Sequence, residues 1–431
     1  MTLSQIVALL VLILVVAALI WGKVRSDLVA LCGAAVLLAT RTVRPVEVQG
    51  AFASPALIAL ASLFVIAYAM ELSGLLGLLA RQAMRLCERL GQAGLWLVIA
   101  AAGAASAFLN NTPIVVLAAP VVREVAQSMN LSPKRFLIPL SYATILGGAC
   151  TLIGTSTNLL VNDMARNAGQ AAFGLFEATP VALVIAFTGG VYLFLFGGRL
   201  LSVDSEGEAH PEPPANPSRA VGDDPALVPL DRPFQLGQAL ASLGVFLLVL
   251  LLAAFNVMPI AASAFSGAIL LVVMRTITIE EAYRGLRPEI LLLIAGMVVI
   301  GLSLEVTGLA SAATDRLAGW VTVLGPRVAL ALLYGATLFL TEILSNAAVA
   351  VLITPLAVAL SESLGISARP LLVAVMMAAS AAFATPFGYQ TNVLVYQMGR
   401  YSYMDFVRIG VPLNLITWAV GVATIPLFFP F

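Results

Sequence analysis

Uncharged apolar stretches recur along the chain, interrupted by brief polar clusters. Between Arg89 and Arg123, residues 90–122 carry no charge, and Asn110-Asn111-Thr112-Pro113 sits inside them. A straight helix of that length would run roughly 50 Å at about 1.5 Å per residue, well beyond a hydrocarbon core of about 30 Å. Pro113 cannot continue a helix from the residues before it. The pattern predicts a re-entrant hairpin with a polar tip at depth, rather than two full spans joined by a polar surface turn. Residues 328–361 repeat it, with Ser345-Asn346 near the middle.

Around each hairpin the same succession is expected. Three apolar spans come first. A short amphipathic piece follows, Leu79–Leu90 in the first half, with Arg81, Arg85 and Arg89 spaced for one helical face. Then come the hairpin, a span interrupted by a polar break (Gly154–Asn158 or Ala384–Asn392), and a last span.

Short motifs recur at one offset. "RTVRPVE" from Arg41 matches "RTITIEE" from Arg275, 234 residues on. Glu71 and Gly74 of "MELSGL" match Glu305 and Gly308 of "LEVTGL", and Asn158 of "TSTNLLV" matches Asn392 of "YQTNVLV", at the same shift. Asn111 and Pro120 match Asn346 and Pro355, 235 residues on. Two copies of one unit are expected, residues 1–200 and 236–431, joined by a disordered polar linker over 201–235 that is rich in Pro, Asp and Glu. Each unit crosses the membrane five times. An odd count makes the second copy enter upside down. The expected fold class is an all-α polytopic membrane protein, an inverted repeat of two five-span units, each with one re-entrant hairpin and one broken helix.

Composition agrees. Hydrophobic residues make up 61% and charged residues 10% of the chain, where soluble proteins hold roughly half and a quarter. A net charge of zero without a basic cluster gives no reason to expect nucleic acid. Cys32, Cys87 and Cys150 lie in or beside apolar segments and read as small core residues, not as a disulfide framework. The first apolar run, about Ile6–Trp21, has no basic segment before it and no usual cleavage site after it, and is read as a retained helix. Placing the N-terminus outside puts 14 of the Lys and Arg residues in cytoplasmic segments and 6 outside, counted from the sequence without Arg219 and Arg232 of the linker. Both termini are therefore expected outside and the linker in the cytoplasm, in a bacterial inner membrane.

The polar clusters carry the candidate chemistry. Non-helical backbone at membrane depth survives only where it lines a cavity or is buried in protein. Carbonyl, hydroxyl and carboxamide oxygens suit a hard cation such as Na⁺. Helix N-termini beginning after each cluster suit an anion. Lys and Arg are absent from both hairpin tips and both breaks, and the only histidine, His210, is in the linker. An anion there would be held by dipoles, hydroxyls, amides and bound cations.

In these residues the chain resembles the divalent anion:sodium symporter family of the citrate-transporter-like superfamily. That family carries Ser-Asn-Thr at each hairpin tip and a break ending in Asn in each broken helix. Here the tips read Asn110-Asn111-Thr112 and Ser345-Asn346-Ala347, the second preceded by Leu340-Thr341-Glu342, and the breaks read "GTSTN" and "ATPFGYQTN". The resemblance implies an elevator-type secondary transporter, usually dimeric, that carries a small divalent anion (sulfate or dicarboxylate) with Na⁺ and needs no other cofactor. It implies one sodium site from Ser106, Asn110, Asn111 and Gly154, and a second from Thr341, Asn346 and Ala384. It implies substrate contacts from Asn111, Thr112, Thr155, Ser345, Asn346, Thr385 and Pro386. Asn110 stands where the family has Ser, and Ala347 where it has Thr. The "NNTP" tip resembles bacterial sulfate permeases, which often hold TrkA C-terminal domains between their halves; this chain has only the linker there.

Glu342 reads equally as a coupling carboxylate or as a group orienting the tip, with Asn158 and Asn392 beside it as candidates for the same supporting role. Glu71 and Glu305 read as span-end residues, and Gly147-Gly148 and the alanine runs as close helix packing. No catalytic constellation is present: no His-Glu-x-x-His, no paired aspartates at depth, no Ser/His dyad. The alternative to sodium symport is a proton-coupled or antiporting anion/arsenite permease of the same superfamily.

Overall fold

The computed structural model describes residues 2–21, 23–198, 200–201, 234–255, 257–310, 312 and 325–431. The linker, with His210, lies almost wholly outside them. The first half holds α1 (Leu3–Trp21), α2 (Ser26–Ala39), α3 (Pro45–Phe52), α4 (Pro55–Leu72), α5 (Leu75–Leu90), α6 (Gln92–Ser106), α7 (Asn111–Ser128), α8 (Lys134–Gly148), α9 (Ser156–Asn167) and α10 (Thr179–Phe196). The second holds α11 (Leu236–Ala254), α12 (Ile260–Val273), α13 (Ile279–Gly285), α14 (Pro288–Val306), α15 (Pro326–Thr341), α16 (Asn346–Leu364), α17 (Arg369–Ser380), α18 (Gln390–Gly399) and α19 (Tyr403–Phe428). The order is the same in both; the counterpart of α5 falls outside the described residues.

The repeated motifs explain why. Arg41 and Arg275 both take left-handed backbone (φ 56° and 55°), ending α2 and α12. Two turns later Glu47 and Glu281 accept the backbone N–H of Arg44 and Thr278 at 2.7 and 3.0 Å, starting α3 and α13. Gly74 and Gly308 again share a left-handed φ (73° and 68°), which a glycine adopts without the Cβ clash. Helix stops and starts are thus written twice. Among the described residues six helical stretches are long and apolar enough to cross a membrane, among them α10, α11, α14, α16 and α19.

The halves interlock. The second helix of each packs on the fourth of the other: α2 on α14, α12 on α4. Within each half the first hairpin arm packs on the helix before the break, α6 on α8 and α15 on α17. Small residues permit this approach. A Cβ on Gly147 would land on the Gly103 carbonyl, so α6 and α8 meet backbone to backbone. The α17 residues Pro370–Ser380 are all buried.

Two helix pairs joined at the polar tips, and both breaks, are present. The chain reverses between α6 and α7 and between α15 and α16, and the arms of each pair pack together. The tip residues Ser106, Asn111, Thr112 and Thr341 are all at most 2% exposed, so these polar groups lie inside the protein. The breaks sit slightly earlier than the sequence indicates, at residues 149–155 and 381–389, because α9 and α18 begin at Ser156 and Gln390. Asn158 and Asn392 therefore lie in the first turn of those helices, not in the breaks.

Candidate binding site at the two hairpin tips

Each tip is built by one repeated set of bonds. Asn110 caps α7, its Oδ1 accepting the Thr112 N–H at 3.3 Å, and Ser345 caps α16 by accepting from Ala348 N at 3.4 Å. The Ser106 hydroxyl donates to Asn111 Oδ1. Its counterpart, the Thr341 hydroxyl, lies 2.9 Å from Asn346 Oδ1 and 2.7 Å from the Ala379 carbonyl, which share its hydrogen.

The breaks meet the tips the same way twice. Thr151 donates to the Ala107 carbonyl and accepts from Gly154 N at 3.1 Å. Thr385 donates to the Glu342 carbonyl at 3.2 Å and accepts from Gly388 N at 3.0 Å. The Asn158 amide spans its break by donating to the carbonyls of Ala149 (3.3 Å) and Thr151 (2.9 Å). Asn392 does so to Ala382 (2.8 Å) and Thr385 (3.2 Å). Without these amides, buried carbonyls in the breaks would lose their donors.

In front of Gly154 three backbone oxygens converge. A Cβ there would sit 2.7 and 2.8 Å from the Ala107 and Ser106 carbonyls and against that of Gly148. A Cβ on Gly148 would meet the Asn111 carboxamide, oxygen at 2.6 Å and nitrogen at 3.2 Å, and the Gly154 carbonyl at 3.2 Å. Several oxygens with no cationic side chain among them fit a hard cation.

At the second tip a carboxylate stands where the first has Ala107. Glu342 Oε1 accepts from Phe383 N (2.8 Å), Ala384 N (2.8 Å) and Asn414 Nδ2 (2.7 Å). Oε2 is buried without a hydrogen-bond partner, and a Cβ on Gly388 would come 3.3 Å from it and 2.9 Å from Thr385 Oγ1. Pro386 is buried in the same break.

The first half also braces the second half's break. The Tyr142 hydroxyl on α8 donates to the Phe383 carbonyl, and the Ser141 hydroxyl lies 2.7 Å from Asn392 Oδ1 and 2.8 Å from the Thr391 hydroxyl. Between the tips, Tyr389 crosses toward the first half. Asn111 Nδ2 donates to its phenol oxygen at 2.8 Å, and Thr155 Oγ1 lies 3.5 Å from it. Thr112 Oγ1 donates to Gln390 Oε1 at 3.2 Å.

All the candidate site residues from the sequence thus lie at the tips, in the breaks or in the helix turns that follow them. Sequence reasoning missed Thr151, Gly388, Tyr389, Gln390 and Asn414. The 234-residue shift already held part of the signal. Carried through the break, it pairs Thr151 with Thr385, Gly154 with Gly388 and Thr155 with Tyr389. The position equivalent to Gly154 is therefore Gly388, not Ala384, whose counterpart is Cys150. Asn414 lies on α19, outside every motif, and nothing in the sequence marks it.

Residues 16–366 match the family profile described as citrate transporter. The sodium-dependent dicarboxylate transporter SdcS of Staphylococcus saprophyticus is 24% identical over 90% of this chain and 79% of its own. Sodium/sulfate cotransporter 1 of Chlamydomonas reinhardtii is 40% identical over 107 residues, 23% of this chain and 12% of that protein. The crystal structure of the YdaH transporter of Alcanivorax borkumensis shares the fold, with TM-score 0.60 and 17% identity over 89% of this chain and 88% of that one. The expected kinship with transporters of this superfamily is met, and with it the reading as a multi-pass membrane transporter rather than an enzyme. The matched residues include the first hairpin, the two helices flanking the first break and the second tip: the chain belongs to the citrate transporter family.

Proposed function

We propose that the protein is a secondary transporter that moves a small divalent anion, sulfate or a dicarboxylate, together with Na⁺. The observation that carries this reading is the pair of oxygen-rich loci: Ser106–Asn111 with Gly154 at the first tip, Thr341–Asn346 at the second with Glu342 Oε2 and Thr385 Oγ1 near Gly388. Ala384 is assigned to the second. Asn110 supports the first. Sodium at both would supply the positive charge that the region lacks. The anion would lie between them, on Asn111, Thr112, Thr155, Ser345, Asn346, Thr385 and Pro386, facing the N-termini of α7, α9, α16 and α18. The named activities of the dicarboxylate and sulfate relatives support the same substrate classes.

The duplication supports an inverted pair of units, the family resemblance implies elevator movement in a dimer, and the Lys and Arg bias supports the orientation. The two units are related by a half-turn about an axis in the membrane plane, with hairpins entering from opposite sides. The tips and breaks move as one body past the frame formed by α1–α4 and α11–α14, within a homodimer in the bacterial inner membrane. Both termini lie outside, and the linker over 201–235 is cytoplasmic.

A second reading has its own observation. The free, buried Oε2 of Glu342 is a place for a proton, and a proton-coupled or antiporting permease would use it. Uptake of labelled sulfate and succinate into proteoliposomes separates the two. Dependence on a sodium gradient supports symport, and indifference to sodium with dependence on a pH gradient supports the alternative.

A further inference from the structure

The two loci are related by sequence but not equally open. At the first tip both donor side chains are already engaged by residues of the second half. Asn111 Nδ2 is bonded to the Tyr389 phenol at 2.8 Å and Thr112 Oγ1 to Gln390 at 3.2 Å. Tyr389 occupies the position equivalent to Thr155, and the two hydroxyls approach to 3.5 Å, so the counterparts face each other between the halves. The shorter Thr155 makes no such bond to Asn346 among the described residues. The second tip also lacks a hydroxyl at Ala347, where the first has Thr112.

An elongated dianion with a charge at each end would need both tips. A compact dianion needs only one cluster of donors. The phenol oxygen receives the Asn111 amide hydrogen. The Thr155 hydroxyl oxygen is 3.5 Å from the phenol oxygen, beyond the usual range of about 2.5–3.0 Å for an O–H···O bond, so it does not tie up the phenol hydrogen. That hydrogen is available for an anion oxygen.

We propose that Tyr389, reaching across from the second half, sets which dianion the site accepts: its ring closes the first tip against an extended substrate, and its hydroxyl binds a compact tetrahedral oxyanion. This rests on the anion-transport reading above and narrows it. Tyr389 is then both donor and size limit, and the Thr155–Tyr389 asymmetry is the feature that distinguishes this site from a symmetric one.

The test uses the full-length protein purified in nanodiscs with saturating Na⁺, and binding of sulfate and of succinate measured by calorimetry. Wild type is expected to bind sulfate at least about tenfold more tightly than succinate. Tyr389→Phe keeps the ring and removes the donor. It is expected to lose about tenfold or more in sulfate affinity, the worth of one hydrogen bond to a charged group, and still to exclude succinate. Tyr389→Thr copies the first-half residue and opens the tip. It is expected to bind succinate at least about tenfold better than wild type does. The proposal is overturned by a wild type that binds succinate as tightly as sulfate, by unchanged sulfate affinity in Tyr389→Phe, or by an unchanged sulfate-to-succinate ratio in a folded Tyr389→Thr. Succinate preference in wild type would remove it while leaving anion transport standing; binding of neither anion would remove both.

Discussion

The Thr341 hydroxyl lies 2.9 Å from Asn346 Oδ1, five residues on, and Ser106 makes the same bond to Asn111 in the other half. In each pair the hydroxyl holds the carboxamide oxygen, and at the first tip the amide nitrogen points to the Tyr389 phenol. A carboxamide held this way offers an oxygen to a cation and hydrogens to an anion. Replacing Asn111 or Asn346 by Ala removes both functions at once. Each variant is expected to reach the membrane folded and to show no uptake above empty liposomes. Near-normal uptake by Asn346→Ala would refute the assignment.

Asn158 and Asn392 are expected to behave differently, because they hold protein rather than ligand. Asn392→Ala leaves the Ala382 and Thr385 carbonyls without these donors. A buried group left unsatisfied costs about 1–3 kcal/mol. The thermal midpoint should fall for Asn392→Ala and for Asn158→Ala, whereas Asn346→Ala should leave it nearly unchanged. Unfolding followed by tryptophan fluorescence in detergent makes the comparison.

Gly154 has no room for a methyl group. A Cβ would press on the carbonyls of Ser106, Ala107 and Gly148, the oxygens assigned to the first cation. Overpacking of this kind costs about 1–3 kcal/mol, so Gly154→Ala should weaken sodium binding and lower stability. Gly190, on α10, has open space around its Cβ position, and Gly190→Ala should be neutral or slightly stabilising. Equal sodium affinity in the two variants would contradict the cation assignment.

Much of the fold was readable in the chain, because local rules wrote it twice. Arg41 and Arg275, Gly74 and Gly308, and the Glu47 and Glu281 caps are short-range signals, visible as repeated letters. The tips were visible because Asn110–Thr112 and Ser345-Asn346 are polar clusters inside uncharged stretches too long for one span. The breaks were misplaced by a few residues because Asn158 and Asn392 act backward: they sit in helices and bond to the non-helical segment before them. Tyr389, Gln390 and Asn414 were not found because their partners are distant in sequence. The Asn414–Glu342 and Tyr389–Asn111 bonds join segments that no local pattern links.

The central claim is that cation and anion depend on each other. The tips and breaks hold no Lys, Arg or His, and each helix N-terminus supplies only about half a charge. A dianion leaving water for such a site would meet a heavy desolvation cost. Sodium at the two tips would offset it, coupling the two ligands by about 1–3 kcal/mol, equally in both directions. The direct measurement is a calorimetric titration of the purified protein with sulfate and with succinate, at zero and at saturating Na⁺. The expected result is that sodium raises the affinity for whichever anion binds by roughly 5- to 150-fold, the factor equivalent to that coupling, and that the anion raises sodium affinity by the same factor. Equal anion affinity with and without sodium would contradict sodium symport and favour the proton-coupled reading centred on Glu342.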